Sequence, residues 1–208
     1  MEELNRWFDQ QLSSMPVMAI LRGFGPERTV ELARTAWSLG VTCLEVPVQG
    51  EHDLASLRAA VAAGREAGRL VGAGTVVSTG LLEQGVAAGA AFTVAPGLDA
   101  DVVEASRRLG VPHLPGVATA TEVQQAMSSG LRWLKAFPAA QLGAGWFSAM
   151  HGPFPGARFV ATGGMDADNA ERFLDGGAEV VAVGSALADE RQLRLLAELV
   201  GRRRTLGA

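Results

Sequence analysis

The run Gly40-Val-Thr-Cys-Leu-Glu-Val-Pro-Val48 contains the unit that decides the fold. A glycine closes a stretch of helical periodicity, and a short, apolar, β-branched run follows at once. Glycine takes the left-handed conformation that ends many helices. An apolar run without alternation suits a strand covered on both faces. The unit returns at Gly68, Gly89, Gly110, Gly130, Gly156 and Gly177, at intervals of 20 to 28 residues. The runs that follow are RLVGAG (69–74), AFTVAP (91–96), VPHLPGV (111–117), LRWLKAF (131–137), ARFVAT (157–162) and AEVVAVG (178–184). With PVMAILRG (16–23) ahead of the first, there are eight.

Helical patterns fill the gaps, at about 27–39, 51–66, 78–88, 99–109, 119–129, 166–175 and 189–200. Ser78 and Thr119 are candidate N-caps, and Glu122, three residues after Thr119, completes a capping box. The segment 141–151 is the weakest helix, because Gly143 and Gly145 interrupt it. Eight strand–helix units predict an α/β fold, a (β/α)8 barrel forming one domain over 1–208; an open doubly wound sheet is the alternative. Residues 3–13 add an amphipathic helix, with Leu4, Trp7, Phe8 and Leu12 turned to the barrel.

Composition agrees. The chain has 208 residues, 48% of them hydrophobic and 19% charged, which builds a sizeable core. Its net charge of -4 argues against a nucleic-acid-binding domain. One cysteine, Cys43, excludes a disulfide framework, and it is expected as a small buried apolar residue. The first twelve residues are charged from position 2 and lack the apolar core of a signal peptide. No apolar run is long enough to span a membrane. A soluble, cytoplasmic protein is expected, with Arg202, Arg203 and Arg204 as a solvated basic end.

Active sites of such barrels lie at the C-terminal ends of the strands. Those ends hold three ionisable groups, Arg22, Glu45 and Lys135. Lys135 is the sole lysine among 18 basic residues. With Trp133 and Phe137 it falls on the inward face of an apolar strand. A buried ammonium must be paired, or its pKa must drop. A neutral amine there could act as a Schiff-base nucleophile, which arginine cannot do; a structural Lys–Glu pair is the other reading. Glu45, on one face with Cys43 and Pro47, is a salt-bridge partner of Lys135 or Arg22, or a general acid/base. Gly163-Gly164 and Gly184-Ser185 suggest a phosphate site or simply tight turns. Gly72 and Gly74 lack the third glycine of a dinucleotide motif. His52, His113 and His151 are too dispersed for a metal site.

The ordered set AILRG (19–23), LEVPV (44–48), GAGTV (72–76), APG (95–97), PGVATATE (115–122), LKAFPA (134–139), TGG (162–164) and VGS (183–185) resembles the class I 2-keto-3-deoxy-6-phosphogluconate aldolases. That family includes the 4-hydroxy-2-oxoglutarate and phosphogalactonate aldolases, and the resemblance spans residues 16–200. It implies a homotrimer acting on a phosphorylated keto acid, without metal or other cofactor. It implies that Lys135 forms the Schiff base and that Glu45 moves protons through water. Arg22 and Thr75 would contact substrate oxyanions, Pro96 and Phe137 would line the pyruvate pocket, and Thr162 would reach the substrate. Gly163, Gly164, Gly184 and Ser185 would hold the distal phosphate. Gln49 stands where gluconate-type members usually carry an arginine for the pyruvate carboxylate. Galactonate-type members resemble Asn there and often have Val in place of Thr162. The competing readings are a phosphosugar isomerase using Glu45 as base, and a non-catalytic phosphosugar binder.

Overall fold

In the computed structural model, residues 1–13 and 15–206 are described, with the side chains of 204–206 outside that set. Nine short parallel strands alternate with helices. The strands are β1 (Val17–Ile20), β2 (Leu44–Pro47), β3 (Val71–Gly74), β4 (Thr93–Val94), β5 (His113–Leu114), β6 (Gly116–Val117), β7 (Trp133–Ala136), β8 (Arg158–Thr162) and β9 (Val180–Val183). Their order is β5-β4-β3-β2-β1-β9-β8-β7-β6. Only Pro115 separates β5 from β6, so the two ends of that order are halves of one strand and the sheet closes on itself. Proline has no N–H for the ladder, which breaks the strand formally. Its carbonyl still accepts from Lys135 N at 2.8 Å. The result is the expected (β/α)8 barrel.

Helices α1 (Glu2–Leu12), α2 (Pro26–Ser38), α3 (Glu51–Ala67), α4 (Thr79–Ala87), α5 (Ala100–Leu109), α6 (Ala120–Ser128), α7 (Ala139–Leu142), α8 (Gly145–His151), α9 (Ala170–Asp175) and α10 (Glu190–Leu206) surround it. Ser78 caps α4 by accepting from Leu81 N, and Thr119 and Glu122 form the capping box of α6. The weak segment is split into α7 and α8 around Gly143. One expectation needs correction. Gly156 is absent from the positive-φ glycines that hold Gly40, Gly68, Gly89, Gly110, Gly130 and Gly177. It follows the turns after Gly152 rather than a helix end. The basic end is solvated at Arg202, which is exposed and pairs with Glu171 at 3.4 Å, while Arg203 is partly covered and pairs with Asp175. The Arg204 side chain lies outside the described residues. Among the described residues, no helix is long and apolar enough to cross a membrane.

The period of two divides the core into two clusters. Leu21, Leu44, Val46, Leu134, Phe159 and Val181 face the helices. Met18, Ile20, Cys43, Phe92, Val94, Leu114, Trp133, Val160 and Ala182 fill the barrel with Phe8 and Leu12 of α1. Helix α1 therefore plugs the bottom of the barrel. Asp9 secures it by accepting from Trp133 Nε1 at 2.9 Å and Arg132 Nη2 at 3.1 Å. Aromatic rings fill the floor of the barrel, which leaves the C-terminal ends of its strands as the face for a ligand site.

Candidate active site

At those ends lies a cavity of about 780 Å³. Arg22, Thr75, Pro96, Lys135, Phe137, Thr162, Gly163, Gly164, Gly184 and Ser185 all line it, ten of the twelve residues singled out in the sequence. They come from the ends of six strands, β1, β3, β4, β7, β8 and β9, or the turns after them, which is how a closed parallel sheet gathers side chains distant in sequence.

Lys135 is on β7, register-paired with Gly116 and Val160. Its side chain is 5% exposed, and that of Glu45 is 1% exposed. Lys135 Nζ lies 3.5 Å from Glu45 Oε1 and 5.6 Å from the centre of the Phe137 ring. The structure thus places a carboxylate directly beside the buried Lys135 amine. Glu45 does not itself line the cavity; its Oε2 is buried and has no hydrogen-bond partner among the described residues. It is therefore an acceptor left free for a water or substrate hydroxyl. Thr162 Oγ1, on a residue that does line the cavity, is likewise buried and without a partner among the described residues.

The glycines of β3 have a steric purpose. A Cβ on Gly74 would collide with the Glu45 carboxylate, and one on Gly72 with the Phe92 ring. They make room inside the barrel, which accounts for the pair without a dinucleotide. Cys43 is buried as expected. Burial, and then the nearby Glu45 charge, push its thiol far above the ordinary range, so it stays protonated.

Gly163 and Gly164 have φ of 97° and 74°, a region that penalises any Cβ. A Cβ on Gly164 would also sit 2.7 Å from Ala140 Cβ. Positive φ at both positions, and for Gly164 the packing on α7, require glycine here whether or not a ligand binds. Gly184 precedes the 3-10 turn Ser185–Ala188.

Arg22 reaches the cavity from the end of β1. Its Nη1 donates to Gln49 Oε1 at 2.9 Å and its Nη2 to Thr75 Oγ1 at 3.2 Å. Gln49 itself does not line the cavity. Thr75 has φ of 60°, rare for a β-branched residue and a frequent mark of a functional position. Nothing in the sequence GAGTV announces it. Sequence reasoning also missed Ile20, Phe24, Met165, Asp166 and Ala182 as cavity-lining residues. Ile20 and Ala182 were accessible through the two-residue period. Asp166 had a signal in its spacing to Asn169, whose N–H its Oδ1 accepts at 2.9 Å.

A match to the family model "Aldolase: KDPG and KHG aldolase" covers residues 8–197. The chain belongs to that family. Among the curated KDPG and KHG aldolases it resembles the 2-dehydro-3-deoxy-phosphogluconate aldolase of Treponema pallidum, 36% identical over 79% of this chain and 77% of the relative. A probable 2-dehydro-3-deoxy-6-phosphogalactonate aldolase of Rhizobium meliloti is 32% identical over 83% of this chain and 81% of the relative. The solved KDPG aldolase of Legionella pneumophila superposes with a TM-score of 0.80 at 29% identity, covering 91% of this chain and 94% of the other. That structure holds pyruvate captured as a covalent carbinolamine.

The histidines of this aldolase-family chain stand apart from the cavity. His113 is buried on β5, where Nδ1 meets Thr93 Oγ1 at 2.8 Å and Nε2 has no partner among the described residues. Burial pushes its pKa down to about 4, against a smaller upward pull from Asp99. The unfolded chain protonates near 6.5 and the native one only near 4, so stability is complete above pH 6.5 and falls as pH drops between these values. The expected loss is about 3 kcal/mol by pH 4. Denaturant unfolding from pH 7 to pH 4 checks it: His113→Gln should lose less stability over this range than the parent protein. Parallel curves would refute the assignment.

Proposed function

We propose that this protein is a Schiff-base aldolase that cleaves 2-dehydro-3-deoxy-6-phosphogluconate to pyruvate and glyceraldehyde 3-phosphate. The observation that carries the proposal is the lone lysine, buried at the cavity and 3.5 Å from a buried carboxylate. Lys135 gives up its proton to Glu45 or to water, and its Nζ attacks the substrate C2 carbonyl. The carbinolamine loses water and becomes an iminium. Glu45, acting through water, takes the proton from the C4 hydroxyl. The C3–C4 bonding pair moves to C3 and the iminium, and the aldehyde leaves. Protonation of the enamine at C3 and hydrolysis release pyruvate and restore the amine.

Arg22 and Thr75 bind the carboxylate end, Pro96 and Phe137 enclose the pyruvate methyl, and Thr162 bonds a substrate hydroxyl. Gly163, Gly164, Gly184 and Ser185 take the phosphate. Gln49 and the galactonate-type relative favour a second reading, cleavage of the C4 epimer; 4-hydroxy-2-oxoglutarate is a third substrate of the same chemistry. The protein works in the cytoplasm as a homotrimer, which light scattering should report as three times the chain mass.

The test is to incubate with pyruvate, reduce with borohydride and locate the adduct by mass spectrometry. The proposal requires the adduct on Lys135. Its absence would favour an isomerase or a binding protein. Rates on the two C4 epimers then assign the substrate.

A further inference from the structure

The cavity holds two cations, and they are partnered differently. Lys135 faces a carboxylate at 3.5 Å. Arg22 is held by two neutral acceptors, the Gln49 amide oxygen and the Thr75 hydroxyl. Among the described residues, Arg22 has no ion-pair partner. Arginine only donates, so the Gln49 oxygen must be the atom facing it. Gln49 is anchored in turn, since its backbone N–H donates to Asp53 Oδ2 at 3.0 Å at the start of α3. Thr75, held at positive φ, supplies the other clamp. A carboxylate at either position would fix the guanidinium equally well but cancel its charge. Neutral partners fix it and leave the charge for a ligand.

We propose that Gln49 is a positioning residue that holds Arg22 uncompensated at the cavity mouth. Through Arg22, Gln49 sets the preference for carbonyl donors bearing a carboxylate over uncharged ketones. Gln49 acts on the substrate by this contact rather than by lining the cavity. The inference rests on the Schiff-base reading above and deepens it.

The near-isosteric Gln49→Glu change keeps the length of the clamp and adds the charge it avoids. Trapping by borohydride, followed by mass spectrometry, would give half-saturating concentrations for pyruvate and for hydroxyacetone, an uncharged ketone of similar size. In Gln49→Glu the pyruvate value should rise about ten-fold or more, while the hydroxyacetone value stays within about two-fold of the parent. Gln49→Ala frees Arg22 without neutralising it, and should raise the pyruvate value by a smaller factor. Both residues are exposed, so the thermal midpoints should match the parent. Equal shifts for both carbonyls, or none, would overturn the role of Gln49 and leave the aldolase reading intact. No adduct in the parent with either compound would remove that reading and this inference with it.

Discussion

Lys135→Arg yields no borohydride-trapped pyruvate adduct and lowers the cleavage rate by about 10⁵-fold or more, the scale of losing a covalent nucleophile. Arginine is the informative replacement because it separates two contributions of the lysine. It keeps a cation opposite Glu45, so the buried carboxylate retains a partner. It removes only the ability to form an imine, since a guanidinium stays protonated at any working pH. The cavity is also shaped for the reaction on the other side of Nζ. The Phe137 ring lies 5.6 Å away, and the ends of the other strands supply mostly neutral groups, with Arg22 as a second cation and Asp166 as an acid. Mass spectrometry after reduction and a coupled pyruvate assay measure the two losses. Retention of more than about a hundredth of the parent rate would show that Lys135 is a structural cation and that carbon–carbon cleavage proceeds without an imine.

Much of this site could be read before any coordinates, for physical reasons. A strand in a closed parallel barrel is apolar on its outer face because helices cover it, so a lysine inside LRWLKAF had one place to go. The two-residue period then put Glu45 and Arg22 on the same inner surface. The glycines before each strand marked the repeat because a chain leaving a helix so abruptly needs a left-handed residue; Gly156 broke the rule because no helix ends there. What stayed hidden depends on contacts between units rather than within them. The closure of β4 to β7 through one proline-split strand is a property of the ring. The positive φ of Thr75 and the hydrogen bonds from Arg22 to Gln49 and Thr75 join three units, at residues 22, 49 and 75. No local propensity encodes them. Likewise Gly72 and Gly74 read only as an incomplete dinucleotide motif, and their approach to Phe92 and Glu45 shows that they clear space inside the barrel.

Glu45→Gln should slow cleavage by about 10²–10⁴-fold, the usual contribution of a positioned proton-transfer group. Lys135 should still trap pyruvate to full stoichiometry, but more slowly. The amide keeps the volume that Gly74 makes available and loses the capacity to take a proton. Slow but complete trapping would set Glu45 apart from Lys135, whose replacement removes the adduct altogether. The same substitution tests how far the pair acts as a unit in stability. Removing one member of a buried ion pair leaves the other charge uncompensated, at a cost of about 3–5 kcal/mol, whereas replacing both by neutral groups is often close to neutral. Lys135→Met alone and Glu45→Gln alone should therefore each lower the unfolding free energy. The double variant should recover most of the loss, giving a coupling energy well beyond the ~0.5 kcal/mol of independent sites. Denaturant unfolding of the four proteins provides the cycle. Additive losses would mean that the 3.5 Å contact contributes little, and that Lys135 and Glu45 are solvated separately from the cavity side. A lysine held by a carboxylate that can also accept its proton is both a stable buried pair and a nucleophile awaiting a carbonyl. The cycle measures the first property and the slowed trapping the second.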